Sequence, residues 1–205
     1  VVGDIAGRSE RHLDRANDMT MTRDEFEKQL GKLASVISRS LTYYAAWNGV
    51  WPTEETVKAL TRFRDFFSPV RGALFEVLLL QVSKVWDGDG TSVGLPDLLE
   101  TARDDMERLV PHATPREMDE MCEDMARQKA VLEYLKRVKD AHLAHLDAHP
   151  FDDATIRKGE VDNLVKTVQM VFDQLSVAHE GSRHAWSLQS SKSVWVTTEM
   201  LRVLG

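Results

Sequence analysis

The sequence contains one cysteine, Cys122, its longest uninterrupted aliphatic stretch is only Val77 to Leu80, and its first residues show no apolar run long enough for a secretory signal. A lone cysteine excludes an intrachain disulfide framework, so the expected compartment is the reducing cytoplasm, with no membrane partner. Basic charge is also in short supply. Lys and Arg number 26 against 33 Asp and Glu, a formal charge of −7. That excludes a surface prepared for nonspecific attachment to phosphate, which needs clustered Lys and Arg, and a nucleic-acid role then requires a local basic site. Also missing are a phosphate-cradling glycine loop, a serine elbow, an internal repeat, a low-complexity tract and any convincing strand.

What is present is an ordinary globular composition, 42% hydrophobic and 29% charged, in a length suited to one core. Residues 1–21, with Gly3 and Gly7 among many charges, lack sustained periodicity and are expected to form a flexible arm. Residues 22–205 are expected to form one all-α domain, a helical bundle with a long capped helix and a C-terminal helical extension.

The helix signals run in order. Thr22 with Glu25 makes a capping box, and Phe26, Leu30, Leu33, Ile37 and Tyr44 follow at helical spacing until Trp47, Gly49 and Pro52. A second start at Thr53 runs to Ser68-Pro69, where Ser can cap and Pro suits the first helical position. One helix is expected to end there and another to begin, with Val70 to Trp86 the central, most buried helix because it is apolar around much of its circumference. Asp87-Gly88-Asp89-Gly90 closes it as a turn and lacks the later ligands of a calcium loop. Pro96 to Leu109 forms the next helix. The box Thr114-Pro115-Arg116-Glu117 opens the longest one, which runs to about Asp147 before His149-Pro150 breaks it. A helix from Glu160 to His179 ends at Gly181, and a short one occupies Ser193 to Leu204. Cys122 reads as a core residue. The five tryptophans read as core anchors and not as a base-stacking platform.

The end of the long helix carries the unusual chemistry. On a helical wheel, Leu135, Val138, His142, His145, Leu146 and His149 fall within a sector of about 100°, so the histidines share the apolar side. Lys139 lies about 60° from His142, whereas Arg137 lies about 140° away. Lys136 and Arg137 read as a solvated face.

The segment Lys139-Asp140-Ala141-His142-Leu143-Ala144-His145-Leu146-Asp147, with Lys84-Val85-Trp86-Asp87 and the capped helix from Thr114, resembles the HEPN superfamily, especially its abortive-infection, AbiU-like branch. The resemblance covers roughly residues 53–181. The family signature is an Arg, a polar residue and, several residues later, Ala-His and often Leu-Asp. It places the family's His on His145, the polar residue on Asp140 and the Arg on Lys139, so this chain has lysine where the family has arginine. A second register, Arg137 to His142, keeps the Arg but puts Val138 at the polar position.

The resemblance implies a homodimer whose two motifs meet in one composite, metal-independent site for RNA cleavage, needing no cofactor, in a phage-defence or toxin–antitoxin system with an antitoxin protein as a further partner. His145 would be the general acid or base, Lys139 would hold phosphate, Asp140 would orient the histidine, and His142 would lie on the same face. Lysine supplies the charge but not the planar fork of arginine. Two other readings stand beside this one. One is a noncatalytic HEPN module that binds a protein partner or nucleotide. The other is a helical bundle whose His142, His145 and His149, at three- and four-residue spacing, hold a metal.

Overall fold

Seven helices and a helical stretch at 199–204, with no strand, make up the described residues of this computed structural model: 21–54, 56–88, 91–144, 157–182 and 199–204. Of residues 138–144 only the helical backbone is described. The helices are α1 (Arg23–Gly49), α2 (Val57–Arg62), α3 (Arg64–Asp87), α4 (Leu95–Asp104), α5 (Met106–Leu109), α6 (Pro115–Ala144) and α7 (Lys158–Glu180). The arm expected over 1–21 lies outside the described residues, apart from Met21, which packs on the core.

Both sequence-encoded capping boxes form. At the start of α1, the Thr22 amide donates to Glu25 Oε2 at 2.9 Å and the Glu25 amide to Thr22 Oγ1 at 3.3 Å. Thr114 and Glu117 repeat the exchange before α6, at 2.7 and 3.3 Å. Each box satisfies amides that the first helical turn leaves without an intrahelical acceptor. Gly181 ends α7 in the left-handed conformation, φ 72°, where glycine carries no steric penalty.

The core is built on α1 against α3. Phe26, Leu30, Leu33 and Ile37 of the first meet Phe75, Leu78, Leu79, Val82 and Val85 of the second, all essentially buried. Although α3 is long and apolar enough to span a membrane by length and composition, one side of it forms this seam. The other side is open: Leu80 is 54% and Phe66 61% exposed. The expectation that this is the most buried helix therefore holds for one face only.

Two expected boundaries are corrected. Helix α3 starts at Arg64, not at Ser68-Pro69, because Phe63 leaves helical geometry (φ −114°, ψ 38°) while its carbonyl accepts the amides of Phe66 and Phe67 at 3.0 Å. Pro69 sits inside the second turn, where it forfeits one backbone bond to the carbonyl of exposed Asp65, which water can serve. The break lets Phe63 and Phe67 close on Val50, Ala59, Leu60 and, from the terminal helical stretch, Leu201. The expected helix Pro96–Leu109 is likewise two, parted at Asp105 (φ −140°, ψ 60°), whose carboxylate binds Arg108 Nε at 2.7 Å. That kink re-phases the chain so that adjacent Leu109 and Val110 are both buried. The Leu109 carbonyl then accepts from His179 Nδ1 at 2.5 Å, which fixes the Nδ1–H tautomer of this buried imidazole on α7.

Between α3 and α4 the chain passes itself backbone to backbone. A side chain at Gly94 would collide with the Trp86 carbonyl, whereas one at Gly31, within α1, would meet open space. Gly94→Ala should lower the unfolding free energy by about 1–3 kcal/mol, and Gly31→Ala should raise it by about 0.5–1 kcal/mol. Urea denaturation of the two variants checks both signs.

The boxes also set an acid limit. Hydrogen bonds from the backbone of Thr22 and Thr114 hold the Glu25 and Glu117 carboxylates below the usual glutamate range. Their stabilisation is complete above the unfolded value of about 4.3 and is lost as pH falls through the lowered folded values. Replacing both by Gln should make the urea midpoint fall less steeply between about pH 5 and about pH 2.

Candidate functional site

The rotational setting of α6 is fixed by what it buries. Met118, Met121, Met125, Leu132 and Leu135 are each at most 2% exposed. Because successive residues turn by about 100°, position 142 lies about 20° from Leu135 on the wheel and position 139 about 40° from it. Position 137 lies about 160° away, and Arg137 is exposed accordingly.

Lys136 refines an expectation. It lies at the edge of the expected solvated face, 24% exposed and bound through Nζ to Asp87 Oδ2 at 3.0 Å and, less closely, to Glu133 Oε1 at 3.5 Å. Burial opposes its charge, but the Asp87 carboxylate, helped by Glu133, outweighs this and holds the ammonium above its usual range. The α6 backbone is thereby tied to the end of α3 one turn before the candidate segment. Lys139, Asp140 and His142 are helical residues of α6. His145, like His149, lies outside the described residues, as does the expected helix end at Asp147.

The family comparison falls on this framework. The AbiU2 family of HEPN domains matches residues 23–196. The chain belongs to that family. It is thus an HEPN module of the abortive-infection, phage-defence kind. No curated protein and no solved structure matches. The AbiU2 match takes in α1 as well as the 53–181 span that carries the sequence resemblance, and it contains the whole segment from Lys139 to Asp147.

Other candidate chemistry in this AbiU2 chain is accounted for locally. Cys122 is half-buried against the core, and burial pushes its thiol up, which keeps it protonated. Trp47 is fully buried, with ring centroids 4.9 Å from Trp51 and 5.8 Å from Phe75, an anchor as expected. Trp186 and Trp195 lie outside the described residues. Tyr44 donates to Asp162 Oδ1 at 2.9 Å, and Lys158 binds the other oxygen at 2.7 Å, which fastens the start of α7 to α1. Burial, with the Asp162 carboxylate, pushes the Tyr44 phenol well up and keeps it a donor. Among the described residues no three His, Cys, Asp or Glu side chains converge on a metal position. Of the alternative His142, His145 and His149 set, only the backbone of His142 is described, and His145 and His149 lie outside the described residues.

Two concavities have no counterpart in the sequence reading. One, of about 290 Å³, places Arg64 and Arg71 beside Thr61 and Ser68 at the α2–α3 junction. The other, of about 440 Å³, runs between α6 and α7. The first is built within residues 52–71, where Arg62, Arg64 and Arg71 give a local signal, whereas the second joins residues far apart in the chain.

The Lys136–Asp87 tie is testable. Both groups are partly solvated, so Asp87→Asn should cost only about 0.2–1 kcal/mol, and less at high salt. Because the lysine value is raised on folding, the pair is fully present from neutral pH up to about pH 10 and is lost as pH rises beyond the raised value. Denaturant titrations of parent and variant should therefore differ at neutral pH and converge in strong alkali.

Proposed function

We propose that this AbiU2 chain is a metal-independent endoribonuclease of a phage-defence or toxin–antitoxin system, acting as a homodimer whose motifs form one composite site. The observation that carries the reading is the unbroken α6 helix through Ala144, inside the family match, with Lys139 and His142 three residues apart and Arg137 turned to solvent.

The chemistry requires no metal. One histidine takes the proton of an RNA 2′-hydroxyl, the resulting oxygen attacks phosphorus, and the bond to the 5′-oxygen breaks as a second histidine protonates the leaving group. The products are a 2′,3′-cyclic phosphate and a 5′-hydroxyl. His145 serves as acid or base, one from each subunit, with Asp140 orienting it and His142 beside it. Lys139 neutralises charge on the phosphoryl oxygens as a point charge. An antitoxin protein would hold this activity in check in the cytoplasm. Lysine at the family's arginine position favours a second reading, a noncatalytic AbiU2 module that binds a protein or nucleotide.

One comparison separates the two. With purified protein and bulk RNA, His145→Ala should slow cleavage by about 10²–10⁴-fold, and Lys139→Arg should equal or exceed the parent. Cleavage by His145→Ala at the parental rate would sink the nuclease reading and leave the binding module. Sedimentation at micromolar concentration should show a dimer.

A further inference from the structure

The first turns of α6 pack against the last turns of α7, and the His112 amide donates to the Ala178 carbonyl at 3.0 Å where the two meet. Between them lies the groove of about 440 Å³. Along α7 its lining extends from Lys166 to Ala178, about 18 Å or just over three helical turns. Its floor is apolar, with Met121 and Val177, and Met170 stands 43% exposed on its wall. An unbranched methionine adapts to irregular apolar partners, which suits it to a docking surface.

The rim is negative. Glu117, Glu120 and Asp173 face it against one ammonium, Lys166. Glu117 is kept ionised by its capping bonds from Thr114, and Glu120 shares its charge with Arg116 at 2.8 Å. A trough between two helices, three turns long, apolar below and acidic above, matches an amphipathic helix with basic flanks, which anchors apolar residues at i, i+3, i+4 and i+7. A compact small ligand would leave most of that length unfilled.

We infer that the α6–α7 groove docks a basic amphipathic helix of a protein partner. The groove is remote from the candidate catalytic segment, since Met121 and position 139 are about 27 Å apart along α6. Docking therefore does not depend on the nuclease reading and survives its failure.

The test uses the full chain and a fluorescent Leu/Lys peptide of about 14 residues, apolar on one helical stripe, read by anisotropy. The peptide should bind, while a scrambled peptide of the same composition and a Leu/Glu analogue should not. Met170→Asp should weaken binding by about tenfold or more. Gln174→Lys, at an exposed position on the rim, should also weaken it, and Lys166→Glu should strengthen it. Leu80→Asp, on the open face of α3, should leave it unchanged. Equal binding of the scrambled or Leu/Glu peptide overturns the proposal, as does indifference to Met170→Asp and Gln174→Lys. Loss of self-association in Met170→Asp also overturns it, because the groove would then be filled by a second copy.

Discussion

Burial of one stripe along α6 governs the position of everything attached to that helix. Met118, Met121, Met125, Leu132 and Leu135 are turned into the core over a length of about 26 Å. Rotating the helix by even one residue would expose several of them together. Each such side chain contributes about 1.5–3 kcal/mol when buried, so no surface interaction can reset the angle. The capping box at Thr114 fixes where the helix begins, and the stripe fixes how it is turned. The candidate segment at its far end inherits both settings.

The rest of the fold supports that helix. Helix α7 lies beside it, held to α1 by Tyr44 and Asp162 at one end and by the tilted ring contact of Phe26 with His179, with centroids 5.1 Å apart, at the other. The α4–α5 kink brings Leu109 under the same imidazole. Polar atoms here do not replace apolar packing. They select which rotation of each helix packs, because a buried donor or acceptor left unmatched costs about 1–3 kcal/mol.

Whether a feature could be read from the sequence depended on the reach of its interactions. Thr22 with Glu25 and Thr114 with Glu117 are legible because every bond closes within three residues. The wheel argument that separated Lys139 from Arg137 is legible for the same reason, and the exposure of Arg137 agrees with it. Ser68-Pro69 has every local sign of a helix start, yet the break falls at Phe63, whose packing involves Leu201 from the other end of the chain. Lys136 reads as solvated until Asp87, 49 residues away, is brought beside it. The α6–α7 groove is a property of two helices together and has no trace in either alone. His145 was singled out by family pattern, and its surroundings are not part of the described structure.

The Lys136–Asp87 tie gives chain length a meaning of its own. Lys136 of α6 reaches Asp87 at the end of α3. An inserted or deleted residue between Leu135 and Lys139 would keep every side chain of the signature while swinging it about 100° around the axis and shifting it about 1.5 Å. Substitution can spare this geometry, but a change of one codon in length cannot.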